Sequence, residues 1–221
     1  IPTTIQPTAL AAPGGYQSRT PSTHPTKKSG VRRPPAVLVA LILLCWVAPA
    51  VAQEVTAEDI DDGTRILIDG ELFCELLTET ETQYGESPRP FIYPIIGPTG
   101  AQMTRGYPMR DDIEGEAHDH PHHRSLWFAH GDVNGVDFWA QGEGKGRIVE
   151  NTGERLLRQL PITPYPRAIG FNCDWVTPDG SSQLRSGQYI GFKVMEDATR
   201  VIDFAIAMTP AEDTGPVTFG D

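Results

Sequence analysis

The chain has 221 residues, with 29 acidic against 18 basic side chains and a formal charge of −11. That balance excludes nucleic acid and anionic membrane surfaces as expected partners, because phosphate binding needs a basic face. Residues 1–30 are rich in Pro, Thr, Ser and Gly, show no apolar periodicity and do not begin with Met. Next comes "VRRPPAVLVALILLCWVAPAVAQ", which has the parts of an export signal. Arg32 and Arg33 form the positive start, Ala36–Val47 the apolar centre, and Ala50-Val51-Ala52 a small-residue cleavage site before Gln53. The apolar run falls short of the roughly 20 residues of a membrane span, which leaves a transmembrane anchor as the lesser alternative. Cys45 follows two leucines rather than small residues, which argues against a lipoprotein site. We expect translation to start at Val31, read from a GTG codon, with 1–30 as upstream sequence and 31–52 as signal peptide. N-terminal sequencing checks this, since a mature end upstream of Arg32 would overturn it. A mature chain from Gln53 holds all 29 acidic but only 13 basic residues, a formal charge of −16. It is expected to be secreted or periplasmic, without stable membrane insertion after signal cleavage. Its two cysteines, Cys74 and Cys173, could pair or stay as separate buried thiols.

From Arg65 onward the pattern has period two. "RILIDGELFCELL" reads as two strands around an Asp69-Gly70 turn. "RPFIYPIIGPTG" reads as extended chain broken by Pro and Gly, and "HRSLWFAHGDV" as an aromatic-rich strand. "GERLLRQL" suits a short helix or a strand. "RAIGFNCDWVTPDGSSQLRSGQYIGFKVM" gives two longer strands around Pro178-Asp179-Gly180. In "TRVIDFAIAMTP", Ile202, Phe204, Ile206 and Met208 share one face. Short strands with Gly/Pro turns predict an all-β, antiparallel sandwich or barrel over 53–221, long enough to bury a core. "QGEGKGR", Gln141–Arg147, lacks the spacing of a phosphate loop and reads as a mobile hairpin connection. The final "TGPVTFGD" looks like a strand cut short, so the domain is expected to continue beyond it.

Five of the six histidines lie between His118 and His130. Pro121 excludes a helix there and is expected to hold His120 extended, with His118, His120 and His122 on one side. Alternate positions on a strand are roughly 7 Å apart, so two of three such imidazoles reach one metal at about 2.1 Å. His120 and His122 are the candidate ligands for zinc or copper, with a third from His123, His130, Asp132 or Asp137. Over Arg124–His130 a strand would place Leu126, Phe128 and His130 on one face, and His123, Ser125, Trp127 and Ala129 on the other. An indole beside His, Arg, Asn and Asp suits a sugar ring, which offers C–H groups to the aromatic face and hydroxyls to the polar groups. Histidine also moves protons near neutral pH. The bland roles are strand-end bonding for His130, solvation for His118 and Asp119, core packing for Trp127 and Trp139, and ion pairing for Arg105 and Arg124.

"YPIIGPTGAQMTRGYPM", "DHPHHRSLWFAHGDVNGVDFW" and "VTFGD" resemble a family of secreted bacterial proteins labelled "methane oxygenase PmoA", common in planctomycetes and related polymer degraders. The resemblance covers roughly Arg65–Asp221. It implies that further strands follow the Gly-Asp, and that some site residues lie there. Methane oxidation itself is not expected, because a particulate methane oxygenase subunit spans the membrane several times and this chain offers no span after its signal. Arg105, His130-Gly131, Gly135 and Trp139 are also loosely similar to the aldose-1-epimerase pattern on galactose-mutarotase-like supersandwiches. This second likeness implies a carbohydrate-active isomerase, lyase or hydrolase. His123 or His130 would be the acid/base, and Arg105, Arg124, Trp127, Asn134, Asp137 and Trp139 would bind a carbohydrate or glycan. A zinc- or copper-dependent enzyme and a non-catalytic glycan-binding module are the alternatives.

Overall fold

A computed structural model describes residues 53–157, 165–212 and 214–220. The expected upstream stretch and signal region lie outside them. Eleven strands and no helix occur among the described residues, in the order β1 (Val55–Ile60), β2 (Gly63–Ile68), β3 (Glu71–Leu77), β4 (Glu81–Thr82), β5 (Gly85–Glu86), β6 (Phe91–Ile95), β7 (Leu126–Trp127), β8 (Arg147–Leu157), β9 (Arg167–Val176), β10 (Ser182–Val194) and β11 (Arg200–Pro210). One sheet runs β1-β2-β3-β6-β7 and the other β11-β10-β9-β8, with β4-β5 as a small separate ribbon. Every pairing is antiparallel. The chain is therefore all-β, and its two sheets pack as a sandwich.

The turn chemistry explains the hairpins. Asp69 (φ 51°) and Gly70 (φ 81°) both take the left-handed conformation that a two-residue link between β2 and β3 demands. Between β9 and β10 the turn Pro178-Asp179-Gly180 is closed by the Thr177 amide donating to the Ser181 carbonyl at 2.8 Å. Along β10, Leu184, Ser186, Gln188, Ile190 and Phe192 are buried while Arg185, Gly187, Tyr189 and Lys193 are more open, which is the alternation of a half-buried strand. Ile66, Ile68, Phe73 and Leu76 of the first sheet meet Ile169, Phe171, Trp175 and Phe192 of the second in one core. Phe73 meets Phe192 edge to face at 6.3 Å. Trp175 is fully buried, and its indole N–H donates to the Ser186 hydroxyl at 3.0 Å, so the polar atom is satisfied inside the core. Cys74 and Cys173 are free thiols in this core, and burial pushes both thiols well above their ordinary range.

Two expectations change, and one open alternative resolves to strand. The strand foreseen across Arg124–His130 shrinks to Leu126–Trp127, because Ser125 is left-handed (φ 62°) and breaks the extended run. "GERLLRQL" is strand as far as Leu157, the end of β8, and its remainder lies outside the described residues. Gln141–Arg147 does not join hairpin partners; it carries the chain from the sheet containing β7 to the one containing β8. Among the described residues no helix is long and apolar enough to cross a membrane.

Two excursions leave the end of the first sheet. The segment 96–125 departs after β6 and returns as β7, which pairs Phe91 with Trp127 and Ile92 with Leu126. The segment 128–146 then leads to β8. A second apolar cluster of Leu77, Phe91, Tyr93 and Met109 takes in Trp127 and ties the first excursion to the sandwich. The five histidines from His118 to His130, with Trp127 and Trp139, lie on these excursions and on the short strand between them.

Candidate functional site

His120, His122 and His123 come together. Their ring centroids are 5.8 Å apart for His120–His122, 4.9 Å for His120–His123 and 4.4 Å for His122–His123. The local backbone differs from the extended row expected. His120 is left-handed (φ 49°), and the His123 amide donates to the His120 carbonyl at 2.9 Å, so Pro121 and His122 occupy a tight turn. Pro121 does exclude a helix, but the turn reverses the chain and folds His123 back onto His120. His118 is outside this group and stacks flat on Tyr107 at 4.7 Å.

The turn is held by charge. Arg105 donates to the Asp119 carboxylate at 2.7 Å and to the carbonyls of Asp119 and His120 at 2.8 and 3.2 Å. The other Asp119 oxygen lies 2.8 Å from His120 Nδ1. Asp119 thus orients His120, and its hydrogen bonds from Arg105 and His120 hold its carboxyl below the ordinary value. Arg105, read as a sugar ligand, is therefore committed to the loop that presents the imidazoles. Burial, followed by the repulsion of neighbouring imidazoles and arginines, lowers the His122 and His123 pKa values from 6.5. Both rings are thereby favoured neutral near pH 7, the form that accepts a proton or a hydroxyl hydrogen.

Two indoles complete the group. Trp127 and Trp139 have ring centroids 4.4 Å apart, and His123 meets Trp139 edge-on at 5.9 Å and Trp127 at 6.3 Å. Trp127 is half-buried against the second apolar cluster, whereas Trp139 is 43 % exposed. Beneath them lies a residue that sequence reasoning passed over. Arg89 is buried, with its guanidinium 4.4 Å from the Trp127 ring centroid. Its terminal nitrogens donate to the carbonyls of Trp139 (2.5 Å) and Ala140 (2.9 Å). Burial pulls its pKa down to about 10. Arg89 therefore staples the loop carrying one tryptophan to the strand carrying the other. The available signal was an arginine between two prolines inside an apolar run, "SPRPFIY".

The other candidates hold backbone. Asp137 accepts from the amides of Trp139 (2.8 Å) and Ala140 (3.0 Å) and pairs with Lys145 at 3.0 Å. Against the opposing effect of burial, these bonds keep its carboxyl below the ordinary value. Arg124 is buried and donates to the carbonyls of Glu86 (2.6 Å) and Tyr84 (3.4 Å). Such a guanidinium is placed to hold the β4–β5 ribbon. Asn134 and Gly135, both left-handed, form the turn of a small hairpin closed between Val133 and Val136. The Asn134 side-chain oxygen accepts from the Thr218 amide at 2.8 Å. His130 Nε2 lies 2.8 Å from the Gly220 carbonyl, and its ring meets Phe219 edge-on at 5.2 Å. His130 and Asn134 thus secure the segment 217–220.

As a metal centre the three imidazoles have the right identity but lack convergence. Among the described residues no group of three or more His, Cys, Asp or Glu side chains is arranged to hold a metal ion. The arrangement suits other chemistry: the neutral imidazoles of His122 and His123, with His120 oriented by a carboxylate, beside a pair of indoles.

The model of a family of unknown function, DUF6807, matches residues 63–221. The chain belongs to that family. No curated protein and no solved structure matches it. The matched range takes in every strand from β2 onward and every residue of the site, so the site forms part of this DUF6807 domain.

Proposed function

We propose that this chain is a secreted carbohydrate-active or carbohydrate-binding protein whose site is the His120/His122/His123 cluster with Trp127 and Trp139. The observation that carries the reading is the exposed Trp139 ring packed at 4.4 Å on Trp127, with His123 edge-on at its side. A sugar face stacks on the open indole, and the imidazoles accept its hydroxyl hydrogens. His123 is the favoured acid/base because it contacts both rings. His130, the other residue proposed for that role, already bonds the Gly220 carbonyl. The residues shared with the PmoA-labelled secreted proteins of polymer degraders support the reading. So does the loose likeness to the aldose-1-epimerase pattern, in which Arg105 acts through the loop it holds.

Binding of oligosaccharide panels by the full-length chain and by Trp139→Ala tests the proposal. We expect a weakening of about tenfold or more in the variant, in line with the loss of an aromatic anchor. Equal binding by both proteins would remove the indole pair from the site. Turnover of any bound sugar that His123→Ala abolishes would make the protein an isomerase, lyase or hydrolase; binding without turnover would make it a recognition module. A zinc- or copper-dependent enzyme is the second reading, favoured by the mutual packing of three imidazoles within 5.8 Å. Metal content of the native chain against His120→Ala/His122→Ala tests it.

A further inference from the structure

Two buried guanidiniums, one against Trp127 and one against Phe91, have no carboxylate in salt-bridge contact among the described residues. Arg89 and Arg124 are 3 % and 7 % exposed, each donates only to backbone carbonyls, and the Nε of each has no hydrogen-bond partner. Buried cations are ordinarily paired. Beside them is a cavity of about 450 Å3 whose walls include Pro88, Gln141, Lys145 and Arg147. Pro88 and Gln141 are the chain neighbours of Arg89 and Ala140, which are hydrogen-bonded to each other, so cavity and indole pair share one stretch of backbone on each side. Arg147 is exposed, and its side chain makes no ion pair or hydrogen bond with any described residue. The other described cations each meet a carboxylate, a carbonyl or a ring. Among the described residues Glu86 is the one carboxylate on the cavity wall, and Asp137 pairs with Lys145.

We propose that this cavity receives the carboxylate or sulfate group of an acidic saccharide, with Arg147 as its principal partner and Lys145 beside it. The inference rests on the carbohydrate reading above and names its substrate class. A cavity of this size takes one or two sugar rings, and a guanidinium pairs with a planar carboxylate or a sulfate through parallel N–H bonds. The chain as a whole is acidic, but charges farther than about 10 Å are screened at ordinary ionic strength, so the cations lining the cavity decide the local preference. The buried pair, Arg89 and Arg124, adds positive potential, which the nearby carboxylates of Asp137 and Glu86 offset only in part because neither forms a salt bridge with them.

The test is calorimetric titration of the full-length chain, Arg147→Gln and Trp139→Ala with three probes: a tetragalacturonate, a sulfated galactan tetrasaccharide and a neutral galactan tetrasaccharide. We expect at least one acidic probe to bind about tenfold tighter than the neutral one. Arg147→Gln should bring the two within about threefold while leaving the thermal midpoint unchanged, since the side chain is exposed. The probe that binds tighter distinguishes a uronate from a sulfate ester. Equal affinity for all three probes, or a preference untouched in Arg147→Gln, overturns the acidic-group inference. The carbohydrate reading survives that result if Trp139→Ala still weakens binding. Failure of every probe to bind the native chain overturns both.

Discussion

The β9–β10–β11 sheet and the loops from 96 to 146 are built by opposite means. In the sheet, backbone groups pair with backbone groups over long unbroken registers, such as Leu184–Val194 of β10 against Arg200–Pro210 of β11. Side chains there need only alternate. In the loops, side chains hold the backbone: Arg89 on Trp139 and Ala140, Arg105 on Asp119 and His120, Asp137 on Trp139 and Ala140. A ladder is cooperative and tolerates the loss of one polar side chain, whereas each loop depends on a few named ones. The carboxylates of Asp119 and Asp137 and the guanidiniums of Arg89 and Arg105 therefore act mainly as fasteners, and the rings they position are left to meet a ligand.

This contrast can be broken most forcefully from the core. Trp175→Ala should cost about 3–5 kcal/mol by removing a fully buried ring between the sheets, measured by urea unfolding, with the loops lost together with the rest. Arg89→Met is expected to cost about 2–3 kcal/mol, since it removes two hydrogen bonds from a charged donor and a ring contact. Its signature is local: hydrogen exchange should accelerate at 137–141 while β9–β11 stay protected. An even loss of protection across both regions would mean that the loops are not fastened independently. Asp137→Ala should cost about 1–2 kcal/mol and weaken sugar binding through Trp139, with exchange again confined to the same loop.

The smallest effect concerns protons. NMR titration should place the His122 and His123 midpoints below 6.5. Because the folded rings take up protons less readily than the unfolded ones, stability is fully present above pH 6.5. It declines as the pH falls from there through the folded midpoints. His120→Asn removes a neighbouring imidazole and should raise the His123 midpoint; an unchanged value would separate the two rings electrostatically.

The sheet was far more legible than the loops. Asp69-Gly70 and Pro178-Asp179-Gly180 are local turn signals, and the alternation of β10 and β11 is carried by adjacent residues, so sequence order alone predicts them. The histidine segment was legible only as a concentration of imidazoles beside tryptophan. His120 and Ser125 take positive φ, and the contacts that hold this segment reach outside it: Arg105 bonds Asp119 and the His120 carbonyl, and Arg124 bonds the carbonyls of Tyr84 and Glu86. Arg89 was illegible for the same reason, since the carbonyls it holds are 50 and 51 residues away. Asn134 carries a local signal as well: Asn-Gly between two valines is a hairpin turn, which its left-handed backbone forms.

The unequal exposure of the indoles gives the molecule its own optical reporter. Trp175 is sealed in the core, Trp127 packs against a guanidinium, and Trp139 stands 43 % open at the site. A molecule settling on Trp139 changes the solvent around one fluorophore while the core indole stays as it was. Occupancy can therefore be followed by the blue shift of native emission without any label, and a variant that unfolds declares itself by the opposite shift from Trp175.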